Sequence, residues 1–409
     1  MGKVCTQTST GWSGLMTLAG WGAFILWGGV GVLLVELLRD AYHVLCHQVP
    51  WLARWHNRHH MAYRRDLSLV SLETYRASQL YHDIAESALL VLVLGLTAGL
   101  AGIPGLWVGV VYALAFLGGA TQRYVLGTVK TDYNHQPGPL LEPPSVWWVN
   151  RTYHWRHHFD NVNAYYSGVF SGVDKLLGTA LSLRGRTIAI TGASGALGQA
   201  LISALIRQGA KVIAFTTHPE RLAGQEGVTV IPWQLGEEAA LQERLARVDI
   251  LVLNHGVNVY GQRTPEAIAT AFEVNTFPTV RLMDLFLETV QGPEARARKE
   301  IWVNTSEAEV SPAFSPLYEL SKRALGDLVT LKRLDNRCVI RKLVLGPFKS
   351  ALNPFGVMTP QAVAGMIVAL VKRDVRTVIV TINPLTYLLL PLRELAVTLY
   401  FRLCTRPAA

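Results

Sequence analysis

Between Lys3 and Glu36 the chain carries no charged residue, and Gly14 to Val35 is rich in Leu, Val, Ile, Trp and Gly. That run is long enough to cross about 30 Å of hydrocarbon as one helix. A second uncharged stretch, Ser87 to Gln122, is broken near its middle by Gly102-Ile103-Pro104-Gly105. It reads as a helical hairpin that dips into the membrane or crosses it twice. Near Leu183-Arg184-Gly185-Arg186 the pattern changes, and short apolar runs begin to alternate with amphipathic helical stretches. The strand candidates are Thr187 to Ile190, Lys211 to Phe215, Val228 to Ile231, Ile250 to Leu253, Ile301 to Val303, Val339 to Val344 and Val378 to Val380. Such alternation predicts a doubly wound parallel sheet. The last stretch, Pro384 to Leu403, is apolar but interrupted by Pro391, Arg393, Glu394 and Arg402. It reads as an interfacial amphipathic helix or as a helix on the sheet's edge. The expected organisation is an all-α membrane domain over 1–183, an α/β domain over 184–383 and a C-terminal apolar helix over 384–409.

Half of the 409 residues are apolar and only 16% are charged, which excludes extended disorder. A formal charge of +9 suits nucleic acid or an anionic membrane surface, and the uncharged runs decide for membrane, with no nucleic-acid partner. Arg39, Arg54, Arg58, Arg64, Arg65 and Arg76 lie between the first helix and the hairpin, and Arg123, Lys130, Arg151 and Arg156 follow it. Both basic segments are therefore expected on the cytoplasmic side, with the N-terminus opposite. The opening MGKVCTQTSTGWSG lacks the features of a removable signal peptide. Cys5, Cys46, Cys338 and Cys404 are far apart, so neither a disulfide framework nor a thiolate zinc site is expected.

Ten of the twelve histidines fall between residues 43 and 158. They read His43-x3-His47, His56-x2-His59-His60 and His154-x2-His157-His158, with His82 and His135 apart. Positions three and four apart share a helix face, so each group is expected to project its imidazoles toward one point, and together they can enclose two metals. Imidazole suits iron, copper and zinc alike. Asp40, one turn before His43, is a candidate acceptor for an imidazole N–H.

The boxes HVLCH, HNRHH and HWRHH, with a hairpin between the second and third, resemble the fatty acid hydroxylase/sterol desaturase superfamily of membrane non-haem di-iron oxygenases over roughly residues 15 to 175. Within it, Tyr133-Asn134-His135 matches a further histidine shortly before the last box, so the resemblance implies nine ligands: His43, His47, His56, His59, His60, His135, His154, His157 and His158. The role of His82 stays open. The implied chemistry is O2 activation by two iron ions, fed by an external electron donor of ferredoxin or cytochrome type, and attack on a lipid C–H bond by hydroxylation or desaturation.

Thr191-Gly192-Ala193-Ser194-Gly195-Ala196-Leu197-Gly198 follows a strand and opens a helix, the setting in which glycines let a pyrophosphate approach the backbone. Asn254-His255-Gly256, Asn275, Ser306 and Tyr318-x3-Lys322 follow in order, and together they resemble the short-chain dehydrogenase/reductase family, a Rossmann fold, over roughly residues 185 to 380. Tyr and Lys four apart share a helix face, so the ammonium is expected to lower the phenol pKa for acid/base work. The resemblance implies Tyr318 as acid/base, Lys322 as its tuner, Ser306 orienting substrate and Asn275 supporting a proton relay. It implies cofactor contacts from Gly192, Ser194, Gly195, Gly198, Thr216, Arg221, Asn254 and Gly256. The second strand ends in Thr216 and Thr217 without an acidic residue, and Arg221 lies near, which favours NADP(H) over NAD. Two departures stand out: the glycines are spaced GxxGxxG, and His255 replaces the usual small residue.

The whole chain resembles bifunctional sterol desaturase/short-chain dehydrogenases: an integral membrane lipid oxidoreductase with both catalytic domains facing the cytoplasm. The lipids of that superfamily are of sterol, fatty acyl or carotenoid type. The rivals are a wax-type aldehyde-processing enzyme and a non-catalytic membrane assembly subunit. A scaffold has no need of intact Tyr318, Lys322 and grouped histidines.

Overall fold

The computed structural model describes residues 18–406, so the opening segment with Cys5 and the first part of the leading apolar run lie outside the described residues. The chain divides into two units, Met1–Gly138 with Trp147–Val173, and Pro139–Val146 with Asp174–Ala409. The division falls at Val173/Asp174, earlier than the change of composition at residue 184.

In the first unit the elements are α1 (Leu18–Gln48), α2 (Pro50–His60), α3 (Leu72–Ser78), α4 (Ala85–Ala101), α5 (Trp107–Leu126) and α6 (Arg151–Phe159). α3 runs through a π-helical turn, Gln79–Ile84, directly into α4. Three helices, Leu18–Gln48, Leu72–Ala101 and Pro104–Leu126, are thus long and apolar enough to cross a membrane. The break between the last two follows the sequence: Gly102 ends α4 in the left-handed region at φ +62°, and Pro104 opens the next turn. α1 and α5 meet at Gly31 and Gly109, where a Cβ on Gly109 would stand 2.6 Å from the Gly31 carbonyl carbon. Small residues at such a crossing let apolar helices pack closely where lipid removes the hydrophobic drive. Val35, Leu90, Leu94 and Val110 fill the space between the helices, while Leu33, Leu92, Leu96 and Leu100 are exposed, as helices solvated by acyl chains require.

After α7 (Gly172–Leu177) the second unit alternates β1 (Thr187–Thr191), α8 (Ala196–Arg207), β2 (Lys211–Thr216), β3 (Val228–Pro232), α9 (Gln242–Ala246), β4 (Ile250–Leu253), α10 (Pro265–Asn275), α11 (Phe277–Glu288), α12 (Gly292–Arg298), β5 (Glu300–Ser306), α13 (Pro316–Arg333), β6 (Val339–Leu345), α14 (Pro360–Lys372), β7 (Thr377–Val380) and α15 (Pro384–Cys404). The seven strands form one sheet in the order β3-β2-β1-β4-β5-β6-β7, every pair parallel. All seven strand candidates are present. Leu201 and Leu205 of α8 and Ile367 and Val371 of α14 cover one face, and Leu282 and Phe286 of α11 and Leu325 and Val329 of α13 cover the other. The order reverses beside β1, which places the Gly-rich turn and the β4 loop together at the strands' carboxyl ends.

β6 carries two adjacent cations in a strand that is buried throughout. Successive side chains point to opposite faces, so each needs its own carboxylates. Arg341 makes a paired contact with Glu300 at 2.8 and 3.1 Å and reaches Asp374 at 2.7 Å. Lys342 meets Glu309 at 3.1 Å and also Glu394, which α15 supplies.

Candidate functional site

The first unit gathers the nine expected histidine ligands into two groups. One holds His43, His47, His56, His60 and His157, the other His59, His135, His154 and His158. The first box, His43 and His47, stays together as the spacing suggested, whereas the second and third boxes split between the groups. His56 and His60 join the first group while His59 joins the second, and His154 and His158 join the second while His157 joins the first. Neighbouring helical residues diverge by about 100°, so the adjacent pairs His59-His60 and His157-His158 were the sequence signal for this partition.

Within the first group, His43 Nε2 stands 3.1 Å from His56 Nε2 and 3.0 Å from His157 Nε2, with His47 Nε2 3.2 Å from His157 and His60 Nε2 2.9 Å from His56. Within the second, His135 Nε2 lies 3.0 Å from His158 Nε2 and 2.9 Å from His154 Nε2. The other ring nitrogens settle the tautomers. His43 Nδ1 donates to the Tyr166 carbonyl at 2.6 Å and His157 Nδ1 to the Ala164 carbonyl at 2.8 Å, since a carbonyl can only accept. Both Nε2 atoms therefore present lone pairs to each other, an arrangement that a shared cation resolves. Two nitrogens about 2.1 Å from one ion stand about 3.0 Å apart at 90° and about 3.4 Å apart at the tetrahedral angle. The observed spacings match the former. Burial, reinforced by neighbouring imidazoles, holds His154 and His158 well below the usual histidine range, so they too stay neutral, the form that ligates metal.

Asp40 is not the acceptor for His43, because the Tyr166 carbonyl occupies Nδ1. It instead takes the Gly168 N–H at 3.1 Å and so steadies the segment that carries Tyr166. The carboxylate that does back a histidine is Asp132, 2.7 Å from His135 Nδ1 and held by the Tyr63 hydroxyl at 2.8 Å. His82, left open by sequence, lies 3.1 Å from His56 and belongs with Cys46 and His56 in one cluster, and with His59 and Asp83 in another. The π turn brings it there; a 3.6-residue period could not show this. Replacing Asp132 by Asn is expected to weaken metal retention in the second group by roughly 10- to 100-fold. Dialysis against graded chelator followed by elemental analysis measures it.

In the second unit Gly192 adopts φ +61°, and a Cβ there would stand 2.9 Å from His255 Cα. Only glycine fits both demands. A Cβ on Gly195 would meet nothing nearer than the Gly192 oxygen at 3.3 Å, so this turn leaves a cradle open to an incoming phosphate beside the start of α8. Thr216 donates to Ser194 at 2.7 Å and accepts the His218 N–H, tying the end of β2 to the turn, with exposed Arg221 on the following turn. These residues fit a dinucleotide. His255 has a role that its unusual position did not reveal. It bridges Thr191 Oγ1 at 2.8 Å and Thr279 Oγ1 at 3.2 Å, and burial together with the Lys322 ammonium pushes it down to about 3.

Asn275 Oδ1 accepts the Val257 N–H at 2.8 Å, and its Nδ2 donates to the Val257 carbonyl and to Ser321, fixing the loop after β4 beside Gly256. Lys322 Nζ donates to the Asn304 carbonyl at 3.0 Å and lies 6.0 Å from the Tyr318 ring centre. Burial pushes its ammonium down to about 8, with Glu309 opposing. The expectation that Lys322 lowers the Tyr318 phenol is not met in this geometry. Burial raises the phenol, and a hydrogen bond with Ser306 pulls the other way. Asn304, which the sequence did not single out, joins Lys322 to Asn254: its carbonyl accepts from Lys322 and its Nδ2 lies 2.9 Å from Asn254 Oδ1.

A helical unit with grouped histidines and a parallel-sheet unit with a Tyr-Lys site define a two-unit oxidoreductase. Residues 29–179 match the fatty acid hydroxylase family and residues 186–337 the short chain dehydrogenase family. The chain is 52% identical over 396 residues, 92% of its length and 96% of the relative's, to the monoglucosyldiacylglycerol epimerase of Synechocystis, and it belongs to that protein's family. It is also 30% identical to the L-xylulose reductase of Mus musculus over 44% of this chain and 75% of that one. Among solved structures, a short chain dehydrogenase from Burkholderia cenocepacia, determined with NADP, is 20% identical with a TM-score of 0.46, covering 55% of this chain and 100% of that one.

Proposed function

We propose that the chain inverts a carbinol centre on the sugar headgroup of a glycosyldiacylglycerol, by oxidation to a carbonyl and reduction on the opposite face. The alignment with the Synechocystis epimerase, which runs through both units, carries this reading. Bound NADP(H), held by Gly192, Ser194, Gly195, Gly198, Thr216, Arg221, Asn254 and Gly256, supplies the hydride acceptor and donor in turn. Tyr318 takes the hydroxyl proton during oxidation and returns it during reduction, so the cycle consumes neither proton nor reductant. Ser306 orients the reacting oxygen, Lys322 sets positive charge near the ring from its seat on Asn304, and Asn275 holds the loop that closes the site. Because burial raises the phenol, alcohol oxidation is expected to accelerate with rising pH as Tyr318 ionises, and the reverse reduction to slow. Initial rates in both directions across the alkaline range measure this.

The facing lone pairs of His43 and His157 favour a second activity in the membrane unit. The nine histidines would hold two iron ions, which with O2 and a ferredoxin- or cytochrome-type donor supply oxidising chemistry toward a lipid C–H bond. In this reading the oxygenated lipid passes to the dehydrogenase site, and the flanking arginines keep both units on the cytoplasmic side. Membranes holding the chain, incubated with glucosyldiacylglycerol in air and without O2, distinguish the readings. A hexose epimeric to glucose formed equally in both supports the redox-neutral cycle. Formation only in air makes the metal unit obligatory, and formation in neither overturns the epimerisation.

A further inference from the structure

We propose that the dehydrogenase unit seats on a bilayer surface through α15, with the helix's apolar face at the boundary of headgroups and acyl chains. α15 is reversed relative to a helix on the surface of a soluble domain. Its central charged residues face the protein: Glu394 pairs with Lys342, lies 3.5 Å from Arg333 and accepts from Thr330, while Arg393 reaches Asp327 at 2.7 Å and Glu309 at 3.3 Å. Six of its leucines face away: Leu385, Leu388, Leu392, Leu395, Leu399 and Leu403 are between 51% and 85% exposed, while Leu390 is buried against the protein.

The shape of this face selects its occupant. At about 100° per residue, the six leucines with Leu389 and Tyr400 span an uncharged arc of about 140°. A two-stranded pairing with a second copy covers the narrower seam traced by the 3-4 spacing of the leucines and leaves Leu389 and Tyr400 in water. A lipid surface covers the whole arc. Charge agrees, because the only carboxylate of α15 is the inward Glu394, whereas Arg402 and Arg406 are exposed at its end and complement anionic headgroups. The same chain also carries three helices long and apolar enough to cross a membrane.

The start of α15 is anchored to the loop that follows Ser306. Thr386 of α15, and Thr381 just before it, donate to Glu307, which follows Ser306, and Asn383 donates to Ser311 at 3.1 Å. That same loop then presents Phe314, 97% exposed, and the loop after β6 presents Phe355, 93% exposed. A lipid headgroup would enter from the membrane plane while its acyl chains stay in the bilayer. This last step rests on the glycolipid reading above; the seating of α15 does not.

The test uses the full chain in vesicles of phosphatidylcholine and phosphatidylglycerol, with an environment-sensitive fluorophore on Leu399→Cys. In a parallel sample it is placed on native Cys404, which needs no substitution in the helix; Cys46 and Cys338 are buried, and Cys5 is replaced by Ala. The label at 399 is expected to shift to the blue, resist aqueous iodide and lose about half its emission to lipids spin-labelled at the depth of roughly 5–10 Å that interfacial helices reach. Quenching by iodide would place the face in water and overturn the proposal. Protection from both quenchers would mean that protein covers it, which also overturns the proposal. No sugar lipid is present in this measurement, so it stands or falls separately from the epimerisation.

Discussion

Replacing Tyr318 by Phe is expected to slow carbonyl–alcohol interconversion by roughly 100- to 10,000-fold, the usual contribution of a positioned acid/base. The substitution removes one oxygen and leaves a ring of the same shape at the same half-buried site. NADPH titration should accordingly be unchanged, because the Gly-rich turn and the Thr216–Ser194 contact do not involve the phenol. Headgroup analysis of membrane lipids should show the glucosyl form accumulating. A variant that still forms the epimeric hexose at the unmodified rate would exclude the Tyr318 site as the seat of the reaction.

The second large effect is expected at His135. It stands 2.9 and 3.0 Å from His154 and His158 and is the histidine that Asp132 backs. His135→Ala would leave the second group three ligands and no anchoring carboxylate. Bound metal should then fall from about two ions per chain to about one, since the first group keeps all five imidazoles. Elemental analysis of protein purified without added zinc measures the ratio. Retention of the full metal content by the variant would remove His135 from the ligand set.

The two units differ in how much of each site could be read beforehand. In the dehydrogenase unit the strands, the Gly-rich turn and the order of Asn275, Ser306, Tyr318 and Lys322 were legible, because each depends on a local pattern or a fixed helical spacing. The direction of the Tyr318 shift was not. It depends on how deeply the phenol is buried and on where the Lys322 chain finds its acceptor, and both are set by strands distant in sequence. In the first unit the eight grouped histidines were legible from box spacing and His135 only from the family resemblance, while the approach of His82 to His56 joins segments 26 residues apart and depends on the π turn.

By itself the sequence determined the elements and the chemistry they carry. Charge-free runs can only be helices where backbone polar groups lack water, short continuous apolar runs between helices make a parallel sheet, and imidazoles three and four apart share or split a helix face. Tertiary structure alone decided which imidazoles meet, because Nε2 spacings near 3 Å follow from the packing of α1, α2 and α6 and from the π turn before α4. It also decided the orientation of α15. An apolar helix with a charged centre can turn either way, and here Glu394 turns inward to join Glu309 on the buried Lys342, which leaves the opposite, leucine-rich face outward.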